Sequence, residues 1–206
     1  MVPTAQAYEL YETKVDVPYT IVELENDVEL SQVYLGELAN FPIMYGFKIE
    51  EPAEFKFSLR QKYSSSEEVL PFGLILVKEE DKRGVTEILR FNPKMDEWVV
   101  KKEKSIGLTF LDSDAVTSTL EPGTYRLEVS TPLNLGKYIL SIGLGDDNSS
   151  GYFKSLSQTR TIQSFYDYSI FKMLSSSMVY YPLGIIFLLL LILTTWKYRK
   201  SITPNA

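Results

Sequence analysis

The chain has no cysteine and no histidine among its 206 residues. Without cysteine there is no disulfide staple and no thiolate nucleophile. Without histidine the commonest general base and metal ligand is missing, which excludes His-based triads and zinc sites of His or Cys type. Only carboxylate chemistry remains for catalysis. A basic surplus is lacking too, with 27 acidic against 21 basic residues. All the acids and all but three of the bases precede Lys197, so that part carries a net charge of about −9. This argues against nucleic acid as a partner, and against adhesion to an anionic bilayer surface. The absence of cysteine from a domain of this size also leans towards a prokaryotic source.

Charge of either sign is absent between Lys172 and Lys197. The apolar heart of this stretch, residues 178–196, predicts a membrane-spanning helix of roughly 28 Å, close to the hydrocarbon thickness of a bilayer. Tyr180 and Tyr181 stand at one end and Trp196 and Tyr198 at the other, where amphipathic rings favour the headgroup zone. Lys197, Arg199 and Lys200 follow at once, so the positive-inside rule predicts a cytoplasmic tail over 197–206 with the bulk of the chain outside, at the plasma membrane. A tail anchor with a cytosolic domain is the competing topology, against that rule. Ala5-Gln6-Ala7 has the small-x-small form of a signal-peptidase site, so residues 1–7 read as a signal-peptide remnant.

Before the span, short alternating apolar runs recur between turn signals. Glu12–Leu24 alternates loosely, and Val28–Leu35 reads as a strand ending at Gly36. Met44–Ile49 and Glu54–Arg60 have strict period two and are joined at Glu51-Pro52. Phe72–Val77 is a continuous apolar run, read as a central strand buried on both faces. Val85–Phe91, Trp98–Val100 and Leu108–Leu111 follow. The clearest hairpin signal comes last: a Glu121-Pro-Gly-Thr turn, alternation over Tyr125–Val129, a turn over Thr131–Gly136, and alternation back over Tyr138–Ile142. About eight to ten strands at roughly 8–15-residue spacing predict a mainly β fold, an antiparallel jelly-roll-like sandwich over residues 8–144.

Leu120-Glu-Pro-Gly-Thr-Tyr-Arg-Leu-Glu-Val129 followed by Gly136-Lys-Tyr-Ile-Leu-Ser-Ile-Gly143 resembles the closing hairpin of bacterial pre-peptidase C-terminal domains. Phe47-Lys-Ile and Ala53–Leu59 suit that family's opening hairpin, and Phe72–Val77 its central strand, so the resemblance covers residues 40–143. The acidic residues common before that central strand are replaced here by Pro71-Phe72-Gly73. The resemblance implies a secreted sandwich with an accessory or binding role, and no reaction.

Residues 145–177 connect sandwich and span. Ile162, Phe165, Tyr166, Ile170, Met173 and Leu174 fall on one helical face, predicting an amphipathic juxtamembrane helix that lies either on the outer leaflet or on its own domain. Asp112-Ser-Asp114 and Asp146-Asp147-Asn148 offer hard oxygen ligands but lack calcium-hand spacing, so they read as solvated turns. Asn148-Ser-Ser150 is a formal glycosylation sequon. The acid pairs Glu67-Glu68 and Glu79-Glu80 read as loop charge. The 14 tyrosines read first as core edge and hairpin packing, and only second as sugar-stacking rows. No catalytic, metal or cofactor site is expected, and the chain is not expected to be an enzyme. The sequence predicts a single-pass anchored sandwich that binds a protein or glycan, or alternatively an accessory subunit of a larger membrane complex.

Overall fold

The computed structural model describes residues 9–25, 27–66, 68–80, 84–143 and 151–202. The expected signal-peptide remnant, the Asp146–Asn148 turn with its sequon, Glu67 and the side chain of Lys200 lie outside the described residues.

Among the described residues twelve strands form two packed sheets. The larger sheet is ordered β1 (Glu9–Lys14), β3 (Gln32–Ala39), β12 (Leu135–Ile142), β5 (Ala53–Lys62), β9 (Leu108–Asp112), β8 (Val99–Glu103), with β10 (Val116–Leu120) also pairing β5. The smaller is ordered β2 (Ile21–Glu23), β4 (Ile43–Ile49), β11 (Gly123–Ser130), β6 (Gly73–Glu79), β7 (Val85–Phe91). The fold is mainly β, as the alternation predicts, but both sheets are mixed. β1 runs parallel to β3 and β2 parallel to β4, because the chain crosses between sheets after β1 and again after β2.

That crossing habit corrects the two expected hairpins. β4 and β5 lie in opposite sheets, as do β11 and β12, so the turns at Glu51-Pro52 and Thr131–Asn134 are inter-sheet corners. Each strand finds its partners from elsewhere in the chain, and its apolar face still meets the common core. The actual hairpins are β6–β7 and β8–β9.

Between the sheets lies an aromatic core. Phe47 stacks on Phe55 at 5.0 Å and on Tyr125 at 5.7 Å, and Phe72 meets Tyr138 edge-on at 5.5 Å. Tyr45 and Tyr138 share a buried hydroxyl contact of 3.0 Å, and Tyr125 donates to the Glu121 carbonyl at 2.6 Å. Burial pushes the phenols of Tyr34, Tyr45 and Tyr138 above their ordinary range.

Gly36 does not end its strand. It faces Tyr138 in register, and a Cβ there would overlap that ring, so a mid-strand glycine seats the tyrosine. β6 differs from expectation too. Leu74 and Leu76 are buried, whereas Ile75 and Val77 are half-exposed, because among the described residues no helix packs on the outer face of the smaller sheet at β6.

The outer face of the larger sheet is covered. Val33, Leu35, Leu108, Phe110 and Ile139 form a second apolar layer beneath α1 (Tyr152–Phe165). A 3-10 helical segment (Ile170–Ser175) and α2 (Ser177–Ile202) follow.

Candidate functional site at the membrane mount

α2 is long and apolar enough over Ser177–Arg199 to cross a membrane, and its side chains from Leu183 to Arg199 project away from the sandwich. At 1.5 Å per residue this length is about 35 Å. The expected interface residues Tyr180, Tyr181, Trp196, Lys197, Tyr198 and Arg199 are exposed along it, and the backbone of Lys200 continues the helix.

The head of α2 is bonded directly to the sandwich. A helix start leaves amides without partners inside the helix, which is costly beside hydrocarbon. Here the Ser177 amide donates to the Lys104 carbonyl at 2.8 Å, and the Met178 amide donates to Ser176 Oγ at 3.2 Å. Ser176 Oγ in turn donates to the Ser105 carbonyl. Ser176 thus acts as the N-cap while tying the span to the β8–β9 turn.

That turn is shaped to receive it. Gly107 has φ +73°, and a Cβ there would lie 2.7 Å from the Ser175 carbonyl carbon, so only glycine permits both the turn and the approach. Ser175 Oγ donates to the Gly107 carbonyl at 3.1 Å.

A second bond closes the mount from α1. Pro182 lies inside α2 and has no amide hydrogen, so the Met178 carbonyl loses its ordinary donor four residues on. The Tyr152 hydroxyl donates to that carbonyl at 2.5 Å. The proline gap is therefore the socket for a side chain from the neighbouring helix.

α1 buries a polar face. Ser155, Gln158, Thr159, Ile162 and Gln163 turn inward, and Gln163 Nε2 donates to the Ile106 carbonyl at 2.6 Å and to the Lys172 carbonyl at 3.3 Å. Lys137 holds the far end, donating to the Phe165 carbonyl at 2.7 Å and pairing with Asp167 at 2.6 Å.

The expected single amphipathic stripe is divided. Asp167 adopts φ +62°, the Asp167 amide bonds the Ser164 carbonyl, and the Tyr168 amide bonds the Gln163 carbonyl; this Schellman ending stops α1 in mid-stripe. Ile162 and Tyr166 are buried against the sheet with Phe165 beside them. Ile170 and Leu174 are exposed on the 3-10 segment, with Met173 half-buried. Burial also raises the Tyr166 phenol.

Serines 175–177 were not singled out from the sequence. A serine before an apolar helical run is an N-cap signal, and that signal could have found this position. The buried polar face of α1 had no such signal, since a polar stripe reads as a solvated one.

The remaining candidates fall elsewhere. Asp112 is held by Arg60 in a two-point pair at 2.7 and 2.9 Å, with Lys101 at 3.7 Å, and so is neither a solvated turn residue nor a free ligand. Glu79 pairs with Arg126 at 3.7 Å. Among the described residues no three acidic side chains converge in a set able to hold a metal ion. An open recess of about 650 Å³ is lined by Glu23, Asp27, Glu29, Lys48, Glu50 and Glu51. It lies at the Ala53 end of β5, opposite the end where Lys62 pairs with Phe110 near the mount. Tyr34, Tyr45, Tyr125 and Tyr138 are core residues, not a sugar-stacking row.

No protein-family model matches the chain, and no curated protein is similar to it. Among solved structures, a protein from Sulfurospirillum deleyianum is similar at TM-score 0.35 and 12% identity, over 56% of this chain and 97% of that one. A mitogen derived from Yersinia pseudotuberculosis is similar at TM-score 0.37 and 11% identity, over 57% of this chain and 87% of that one. The pre-peptidase C-terminal domain of a collagenase from Bacillus anthracis is similar at TM-score 0.38 and 12% identity, over 63% of this chain and 97% of that one.

Proposed function

We propose that the protein is a single-pass membrane protein whose sandwich stands outside the cytoplasm and serves as a binding domain held at a fixed pose on the bilayer. The mount is the observation that carries this reading: the Ser177–Lys104 and Tyr152–Met178 bonds join span and sandwich without a flexible stalk. The ligand on this reading is a protein or a glycan; the four core tyrosines are unavailable for stacking on sugar, so a glycan would stack on exposed rings such as Tyr19 and Tyr63. Protease protection of a C-terminal tag in sealed cells or vesicles tests the topology. The tag is expected to be protected, and digestion of the tag from outside refutes the orientation.

A second reading, a permanent accessory subunit of a larger membrane complex, draws support from Met95, Val99 and Val100, which expose apolar side chains at and beside the β8 edge. Extraction in mild detergent followed by mass measurement separates the two. A lone chain supports a display domain that meets its ligand transiently; a stoichiometric companion supports the subunit.

A further inference from the structure

Around the head of α2 the mount leaves apolar side chains uncovered. Phe153 is 82% exposed, Phe171 77%, Ile170 65% and Leu174 55%. They approach the helix from two sides. Phe153 belongs to the first turn of α1, next to the tyrosine that bonds Met178. Ile170, Phe171 and Leu174 belong to the 3-10 segment, which ends at Ser175, against the Gly107 carbonyl. Six 3-10 residues extend only about 12 Å, so these side chains stay close to the emerging span. Tyr180 and Tyr181 follow within the first two turns of α2, at the level where aromatic belts form. Lys104, whose carbonyl accepts the Ser177 amide, stands exposed beside the same head, although the domain as a whole is acidic.

We infer that this ring is a second membrane contact, bedded in the headgroup–acyl boundary of the leaflet on the sandwich side, with Lys104 reaching lipid phosphates. The inference rests on the reading that α2 crosses the bilayer. Continuity with the span selects lipid as the occupant, since any soluble partner would have to enter the headgroup layer to reach side chains this near to Ser177. Two-sided contact fixes the tilt of the sandwich as well as its height. It also explains why the 3-10 segment ends in bonds to the sandwich: a freely swinging segment would not hold Phe171 at one depth.

The chain has no native cysteine, so single-cysteine variants report one site each. Spin labels at Phe153→Cys, Phe171→Cys, Leu189→Cys and Glu121→Cys are compared in full-length protein in lipid vesicles, by collision with oxygen and with a water-soluble nickel chelate. Oxygen is expected to dominate at positions 153 and 171, less strongly than at 189, while the chelate dominates at 121. Chelate-dominated labels at 153 and 171 beside a lipid-buried label at 189 would overturn the ring while leaving the span intact. Labels at 153 and 171 shielded from both reagents would overturn it in favour of a protein contact. A chelate-accessible label at 189 would remove the span itself, and the ring with it.

Discussion

At the centre of the sandwich two phenols share one contact unequally. The Tyr45 hydroxyl meets both Tyr138 and Thr13, whereas Tyr138 meets only Tyr45 among the partners that shift its phenol. Tyr138→Phe leaves Tyr45 its threonine, but Tyr45→Phe strands a fully buried hydroxyl. An unsatisfied buried polar group costs about 1–3 kcal/mol. Tyr45→Phe should therefore lower the thermal unfolding midpoint of the detergent-solubilised protein more than Tyr138→Phe, and equal losses would refute the threonine's role. The buried phenols also set an alkaline limit. Their folded values lie above the unfolded value near 10, so their contribution is intact below about pH 10. It drains away above that pH, because the unfolded chain then releases protons that the folded one retains. Tyrosinate absorbance from Tyr34, Tyr45, Tyr138 and Tyr166 should rise together with loss of the strand signal in circular dichroism; ionisation of all four in an intact fold would contradict this.

At the scale of elements, the mount depends on a defect. Pro182 withholds a hydrogen bond from the Met178 carbonyl, and Tyr152 of α1 supplies it. Tyr152→Phe should cost about 1–3 kcal/mol by leaving that carbonyl unpaired. In a Pro182→Ala background, where the helix supplies its own donor, the same change should cost much less. Thermal unfolding of the four proteins in this cycle measures the coupling, and additive losses would show that the proline and the tyrosine act independently. The elements here were unevenly legible. Period-two alternation exposed β5 and β11 because each turns one side into the core, and β4 and β12 by the same apolar period although both carry buried residues on their second side. The break in the juxtamembrane stripe was hidden because the αL ending is carried by an aspartate, not a glycine. Likewise Gly36 looked like a stop because the ring that fills its place comes from a strand about a hundred residues later in the chain.

For the molecule as a whole, the mount makes sandwich and span one body. Paired spin labels at Glu121→Cys and Lys197→Cys should give one narrow distance distribution. Gly107→Ala, which forces a strained backbone and a clash with Ser175, should broaden it. A distribution already broad in the parent protein would refute the rigid joint. The acidic recess lies at the opposite end of β5, facing away from this joint. By itself the sequence determined the apolar span, its aromatic and basic flanks, the mainly β class and the exclusion of His and Cys chemistry, because composition and local periodicity suffice for each. Only the tertiary structure decided which strands pair, which sheet α1 covers and how the span is fastened. Those outcomes depend on contacts between residues distant in the chain, such as Ser177 with Lys104 and Tyr152 with Met178, and on a backbone vacancy whose partner no local pattern names.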